Sequence, residues 1–227
     1  MAAVQRTNRS VDRHVDIHVA PDAERAAIRA VPAADAQLKS ELGLGWTEGK
    51  GATLLETLQQ PSLNINGIRA ADVGDKARNV IPTYATATLD LRLVKGNDWK
   101  QQVDKLVKHI QAQGFTVLAR EPTMDERRRF TKIALVTAGA GYNAERTPLD
   151  HPLAQSVAKA AKPFGAVVLP SLGGSLPLYV FHETLGAPTV TVSLANYDNN
   201  QHAEDENLRL GNLWRAIAVA AAIMEMR

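Results

Sequence analysis

The residue with the richest chemistry is His202. It stands in N-Y-D-N-N-Q-H-A-E-D-E-N, residues 196–207, between an apolar β-type run and an amphipathic C-terminal stretch. A neutral imidazole serves as a metal ligand or a proton carrier, and a loop at the C-terminal end of a strand is where α/β enzymes place functional groups. Acids at Asp198, Glu204, Asp205 and Glu206 surround it. By composition alone, the same stretch reads better as a solvated loop that caps the last helix. A second candidate is Gly173-Gly174-Ser175, placed between an expected strand and an expected helix. Backbone N–H groups at a helix N-terminus bind carboxylate or phosphate. Ser175 lacks the G-x-S-x-G spacing of a nucleophile elbow, and a tight turn with a serine cap is the plainer reading. The third candidate is the pair Asn79 and Arg92, at either end of a long strand pattern. An arginine fork clamps a carboxylate through two parallel charge-assisted bonds. Taken singly, Arg92 reads better as an exposed strand residue paired to Asp90.

The elements that must position these residues fall into two groups. Residues 22–30 and 33–42 predict two short helices broken by Pro32, with Asp22 as N-cap; residues 52–60 predict a third, ended by Pro61. The period then changes. S-L-N-I-N-G-I (62–68) alternates apolar and polar residues and predicts a half-buried strand, and 80–94 predicts a long one. Trp99, Val103, Leu106, Val107 and Ile110 have helical spacing, with Asn97 or Asp98 as cap and Gly114 as stop. Residues 115–120 and 130–138 predict two further strands. The order strand–strand–helix–strand–strand implies an antiparallel sheet with helices on one face, an α+β domain. A turn-rich boundary at 139–148 follows. Beyond it, helix 150–163, strand 166–170, helix from 173–186, strand 187–194 and helix 208–226 imply an α/β layer with a parallel or mixed sheet. Two strands are few for such a sheet, so its other strands must come from elsewhere.

The chain has 227 residues, 45% apolar and 22% charged, with a formal net charge of +2, enough for one large domain or two small ones. The near-neutral balance gives no electrostatic case for nucleic acid or an anionic membrane. There is no cysteine, which excludes disulfides, thiolate metal sites and a cysteine nucleophile. No apolar run approaches the roughly 20 residues that span a bilayer, and the arginine-bearing N-terminus lacks the apolar stretch of a secretory signal. The expected setting is cytoplasmic, and residues 1–13 are expected to be a leader with no fold of its own.

The order S-L-N-I-N-G-I, then N-V-I-P followed by L-D-L-R, then G-G-S-L-P, then H-A-E-D-E-N resembles the M20 zinc metallopeptidases, a family of carnosinase-type dipeptidases, succinyl-diaminopimelate desuccinylases and aminoacylases. The resemblance covers residues 14–227. It implies an incomplete ferredoxin-like lid (dimerisation) domain at 14–144 and the C-terminal part of a helix-flanked, mixed-sheet catalytic domain at 145–227, of the phosphorylase/hydrolase-like type. It implies cleavage of small peptides or N-acyl amino acids by a zinc-activated water. By the resemblance His202 is the C-terminal zinc ligand. Gly173, Gly174 and Ser175 hold the substrate's carboxylate end, Asn79 and Arg92 reach substrate from the lid, and Glu206 is the acid that closes the motif. Asp205 replaces the usual Asn, and Ala203-Glu204 the usual Ser-Pro; none of these positions is a ligand.

In the family, the reaction needs two Zn²⁺ ions about 3.5–4 Å apart and a glutamate base. Four of the five ligands, and the base, belong to a region with no counterpart here. His14-Val15-Asp16 has H-x-D spacing, with His18 beyond, but no bridging Asp or Glu pair follows, and it is read as coincidence. His109, His151 and His182 lack ligand-type neighbours and are read as structural. One imidazole cannot hold catalytic zinc. The chain alone is therefore expected not to hydrolyse peptides, whether it is a truncated gene product, half of a split enzyme or the outcome of a misplaced start. The alternative is a non-catalytic module that dimerises through its lid or binds a partner.

Overall fold

The computed structural model describes residues 22–31, 35–47, 49 and 51–226. The leader at 1–13, Pro32, and the residues His14, Asp16 and His18 lie outside the described residues. The chain divides into two compact units. The described part of the first is Gln59–Ala144; the second joins Ala20–Leu58 to Glu145–Arg227. No helix among the described residues is long and apolar enough to cross a membrane.

In the first unit, β1 (Ser62–Arg69) and β2 (Thr86–Arg92) form an antiparallel ladder with a register shift between Ile65 and Gly67. That bulge explains how an imperfect alternation still makes a two-faced sheet. Leu63 pairs with Leu91, Ile65 with Leu89 and, after the extra residue, Ile68 with Ala87. Without the bulge Ile68 would turn to the other side, because side chains alternate with period two. With it, one face is apolar. The other carries Ser62, Asn64 and Arg69 opposite Arg92, Asp90 and Thr86. The apolar face remains open: Ile65 is 42%, Ile68 63% and Leu89 38% exposed.

Helix α4 (Trp99–Ala112) follows, capped by the Asp98 carboxylate, which accepts from Gln101 N at 2.9 Å. Gly114, at φ +86°, ends it. Asn97, the other candidate cap, is buried and instead accepts from Val94 N at 3.3 Å within the preceding turn. Strands β3 (Thr116–Leu118) and β4 (Ile133–Leu135) pair in parallel, not antiparallel as the element order implied. The reason lies in their connection, which is long enough for a crossover and contains a helix, α5 (Met124–Arg129). Sequence periodicity does not reveal α5, because six residues are too few to show a period.

Thr123 and Glu126 form a capping box at the start of α5, with Thr123 N donating to Glu126 Oε2 at 2.8 Å and Glu126 N to Thr123 Oγ1 at 3.2 Å. Arg120 grips the same carboxylate through both terminal nitrogens, each at 2.8 Å. The Arg120 fork and the Thr123 amide pull the Glu126 pKa from 4.5 down to about 2. The folded-state pKa is thus depressed, so this contribution is complete above pH 4.5 and disappears as pH falls towards 2. Glu126→Gln is expected to flatten the acid limb of an unfolding profile in that window. An acid limb identical to wild type, measured at low salt where exposed pairs are least screened, would reject the assignment.

In the second unit, α1 (Asp22–Arg29), α2 (Asp35–Glu41) and α3 (Leu54–Thr57) precede α6 (Pro152–Ala161) and α7 (Leu210–Met224) in sequence. Asp35 Oδ2 accepts from Leu54 N at 2.9 Å, which ties α2 to the start of α3. His151 caps α6, its Nδ1 accepting from Leu153 N at 3.1 Å, which agrees with its structural reading. Val157 and Ala161, one turn apart on α6, and Val219 on α7 are buried, as is Ile28 on α1.

The strands expected at 166–170 and 187–194 are not formed. Both segments are non-helical, without ladder partners among the described residues. A strand exists through pairing, and no neighbouring strand is there to supply the hydrogen bonds. The Thr147 hydroxyl partly substitutes, accepting from Thr189 N at 3.2 Å and donating to Thr189 O at 2.7 Å. The helix expected from 173 is also shorter: only a π-helical turn, Val180–Thr184, appears there.

Candidate functional site

The loop 196–209 is built from its two ends inward. Asn196 is 5% exposed. Its Nδ2 donates to Asp198 Oδ1 at 2.9 Å and to Asn207 Oδ1 at 3.1 Å, while its Oδ1 accepts from Arg209 N at 3.1 Å. Arg209 also donates to Asp198 Oδ2 at 2.6 Å. These bonds hold the Asp198 carboxyl below its usual pKa, the Asn196 amide being the largest cause. Tyr197 donates to Glu41 Oε2 at 2.5 Å, lowering the Glu41 pKa and raising that of the phenol. Inside the loop, Asn200, His202 and Asp205 have φ of +54°, +66° and +60°. This left-handed region is uncommon for any residue with a β-carbon, though Asn, Asp and His enter it most readily. His202 is fully in the solvent-facing part of the loop, as are Glu204, Asp205 and Glu206.

Gly173, Gly174 and Ser175 are exposed. Because the helical turn begins several residues later, no helix N-terminus aims its amides at them. A β-carbon at Gly173 would meet Leu58 Cδ2 at 3.0 Å, a close approach that a small shift of this exposed leucine relieves. No hydrogen bond joins 173–175 to the loop 196–209 among the described residues.

In the first unit, Asn79 is exposed at the centre of a three-residue turn closed by Val80 N donating to Arg78 O at 2.9 Å. Arg92 ends β2 and pairs through Nε with Asp90 Oδ2 at 2.8 Å on the polar face of the ladder. Asn79 belongs to the connection at the Arg69–Thr86 end of that ladder, and Arg92 lies at the opposite end, about 20 Å away by strand rise. No hydrogen bond or ion pair joins Asn79 to Arg92 among the described residues.

The zinc implied by the resemblance finds no complete site among the described residues. They contain no group of three or more His, Asp or Glu side chains able to hold a metal ion, and Asp198, the acid nearest the loop's base, is already taken by Asn196 and Arg209. Sequence reading missed Asn196 altogether. Its signal was faint: one amide between an apolar run and a turn-rich stretch.

An α/β architecture with a small antiparallel ladder and a helix pair beside unpaired extended segments is the fold of M20 enzymes. The structure of an M20 family metallo-carboxypeptidase, Sso-CP2 from Sulfolobus solfataricus, matches with a TM-score of 0.71 at 23% identity, over 93% of this chain and 46% of that one. Human carnosine dipeptidase 1 matches with a TM-score of 0.71 at 18% identity, over 94% of this chain and 44% of that one. The chain thus spans less than half the length of these two structures. Residues 13–116 match the family described as the peptidase dimerisation domain of M20 enzymes. The family match covers residues 13–116, less than half of the chain, and the two structural matches show the fold. No curated relative matches it by sequence.

Proposed function

We propose that the chain supplies part of an M20-type, zinc-dependent hydrolase that cleaves small peptides or N-acyl amino acids. In this reading His202 is one zinc ligand, with Glu206 close by in the loop. Gly173, Gly174 and Ser175 receive the substrate's carboxylate end, and Asn79 and Arg92 reach substrate from a lid. The lid is proposed over 14–144, with its compact body in the first unit, and the catalytic part over 145–227. The remaining zinc ligands and the general base stand on polypeptide outside the described residues. No hydrolytic step is assigned to this chain alone, because one imidazole does not hold catalytic zinc.

The observation that carries the reading is the conformation of His202. A solvent-facing histidine held at φ +66° in a loop pinned by a buried amide is a costly arrangement for a mere connection. The second reading, a dimerisation or partner-binding module without catalysis, is favoured by the open apolar face of the β1–β2 ladder and by the family of residues 13–116. A second copy of the chain is the proposed partner there.

Reconstitution separates the two. The chain is refolded with a metal-site half, then zinc and turnover on dipeptides and N-acyl amino acids are measured. Zinc uptake with turnover supports the hydrolase; neither, with a stable dimer, supports the module. In a reconstituted enzyme, Arg92→Ala is expected to raise KM about 10- to 100-fold, the value of one charged hydrogen bond pair to a carboxylate, with zinc content unchanged. Loss of zinc in that variant would sink the clamp assignment.

A further inference from the structure

We propose that Asn196 is the positioning residue for His202, and that it orders the loop 196–209 before any metal or second polypeptide is met. One side chain, itself 5% exposed, bonds to Asp198, Asn207 and the Arg209 amide at 2.9, 3.1 and 3.1 Å. It therefore joins the loop's first residue to Asn207 and Arg209 near its end, across 11 and 13 positions of sequence. A buried, fully engaged amide is conformationally exact, because leaving either its donor or its acceptor unmade in a dry site is costly.

The other closure at the base is weaker. The Arg209–Asp198 pair has side chains 56% and 43% exposed, and exposed ion pairs contribute little. Inside the ring so closed, Asn207 N donates to Asn199 O and Ala203 N to Asn200 O, both at 2.9 Å. These two bonds bracket His202. Left-handed residues that are not glycine persist where their surroundings over-determine them. Here the surroundings are the Asn196 pin, those two bonds and three local ones, Asn200 Nδ2 to Glu204 O at 3.4 Å, Gln201 N to Asn199 Oδ1 at 3.2 Å and Asn207 Nδ2 to Asp205 O at 3.0 Å; of these, only the pin ties the start of the loop to its end through a buried side chain. The proposal rests on the reading of His202 as a ligand only for its purpose. The ordering itself belongs to this chain.

The test is backbone ¹⁵N relaxation and hydrogen exchange on the full chain. In the wild type, order parameters through 199–205 are expected near those of rigid backbone, about 0.85. In Asn196→Ala they are expected below about 0.6, with the Ala203 and Asn207 amides exchanging at least tenfold faster. Amides of α6 and α7 and the Val157 and Val219 methyl signals should stay in place. Asn207→Ala, which removes one of the three bonds from an exposed position, is the milder variant should Asn196→Ala fail to fold, and it is expected to fall between the two. A mobile loop in the wild type overturns the proposal. So does a loop that stays ordered in both variants, or loosening that spreads equally through α6 and α7. The ligand reading fails separately, by unchanged zinc content in a reconstituted His202 variant.

Discussion

In an M20-type enzyme reconstituted from this chain and a metal-site half, His202→Ala is expected to weaken zinc binding at one site by more than about 100-fold. Removing a group that only orients a ligand costs 10- to 100-fold in metal affinity, so removing a ligand must cost more. Alanine at this position carries a second effect, because φ is +66° there and alanine enters that region unwillingly. His202→Asn separates the two. Asparagine tolerates the left-handed conformation but cannot replace the imidazole, so it is expected to lose zinc equally while leaving the loop's hydrogen exchange unchanged. Zinc stoichiometry measured on dialysed protein reads the first effect. An unchanged stoichiometry in both variants removes His202 from the metal site and leaves the dimerisation module as the better account of the chain.

Arg146→Ala is expected to destabilise the second unit by about 3–5 kcal/mol, the cost of stranding one partner of a buried ion pair. Arg146 donates to Glu24 Oε2 at 2.6 Å, and the two side chains are only 22% and 8% exposed. The pair joins α1 to the chain just before α6, bridging 122 positions of sequence. With Ile28, Val157, Ala161 and Val219 as the buried apolar residues named in this unit, there is little other packing to absorb an uncompensated carboxylate. Urea unfolding should show a lower midpoint at unchanged slope. The double variant Glu24→Leu with Arg146→Met should regain most of the loss, because an apolar pair of similar volume avoids desolvating two charges. A single-variant loss below about 1 kcal/mol, the ceiling typical of surface pairs, would show that the pair behaves as a solvated one.

Local order was legible wherever its cause was local. The alternation in 62–68, the helical spacing of Trp99 to Ile110, the Asp98 cap and the Gly114 stop are each set by neighbours within one turn or one strand, and the structure has all of them. Even α5, absent from the periodic pattern, left a trace in Thr123-Met124-Asp125-Glu126, the spacing of a capping box. The dimerisation-domain likeness was legible too, in S-L-N-I-N-G-I and in N-V-I-P followed by L-D-L-R, all within the matched residues 13–116.

Contacts between distant residues were another matter. Nothing in the spacing of 166–170 or 187–194 says whether a neighbouring strand exists, and without one an apolar β-type run stays extended and unpaired. The parallel pairing of β3 with β4 depends on how the intervening chain crosses over. The pin at Asn196 requires residues 11 and 13 positions away to arrive at one amide. Residue types and short-range spacing determined the strands of the β1–β2 ladder and the helices α4 and α7. The tertiary structure alone decided their partners, because a hydrogen bond or an ion pair between remote residues is fixed by distances in space, which a one-dimensional pattern does not contain.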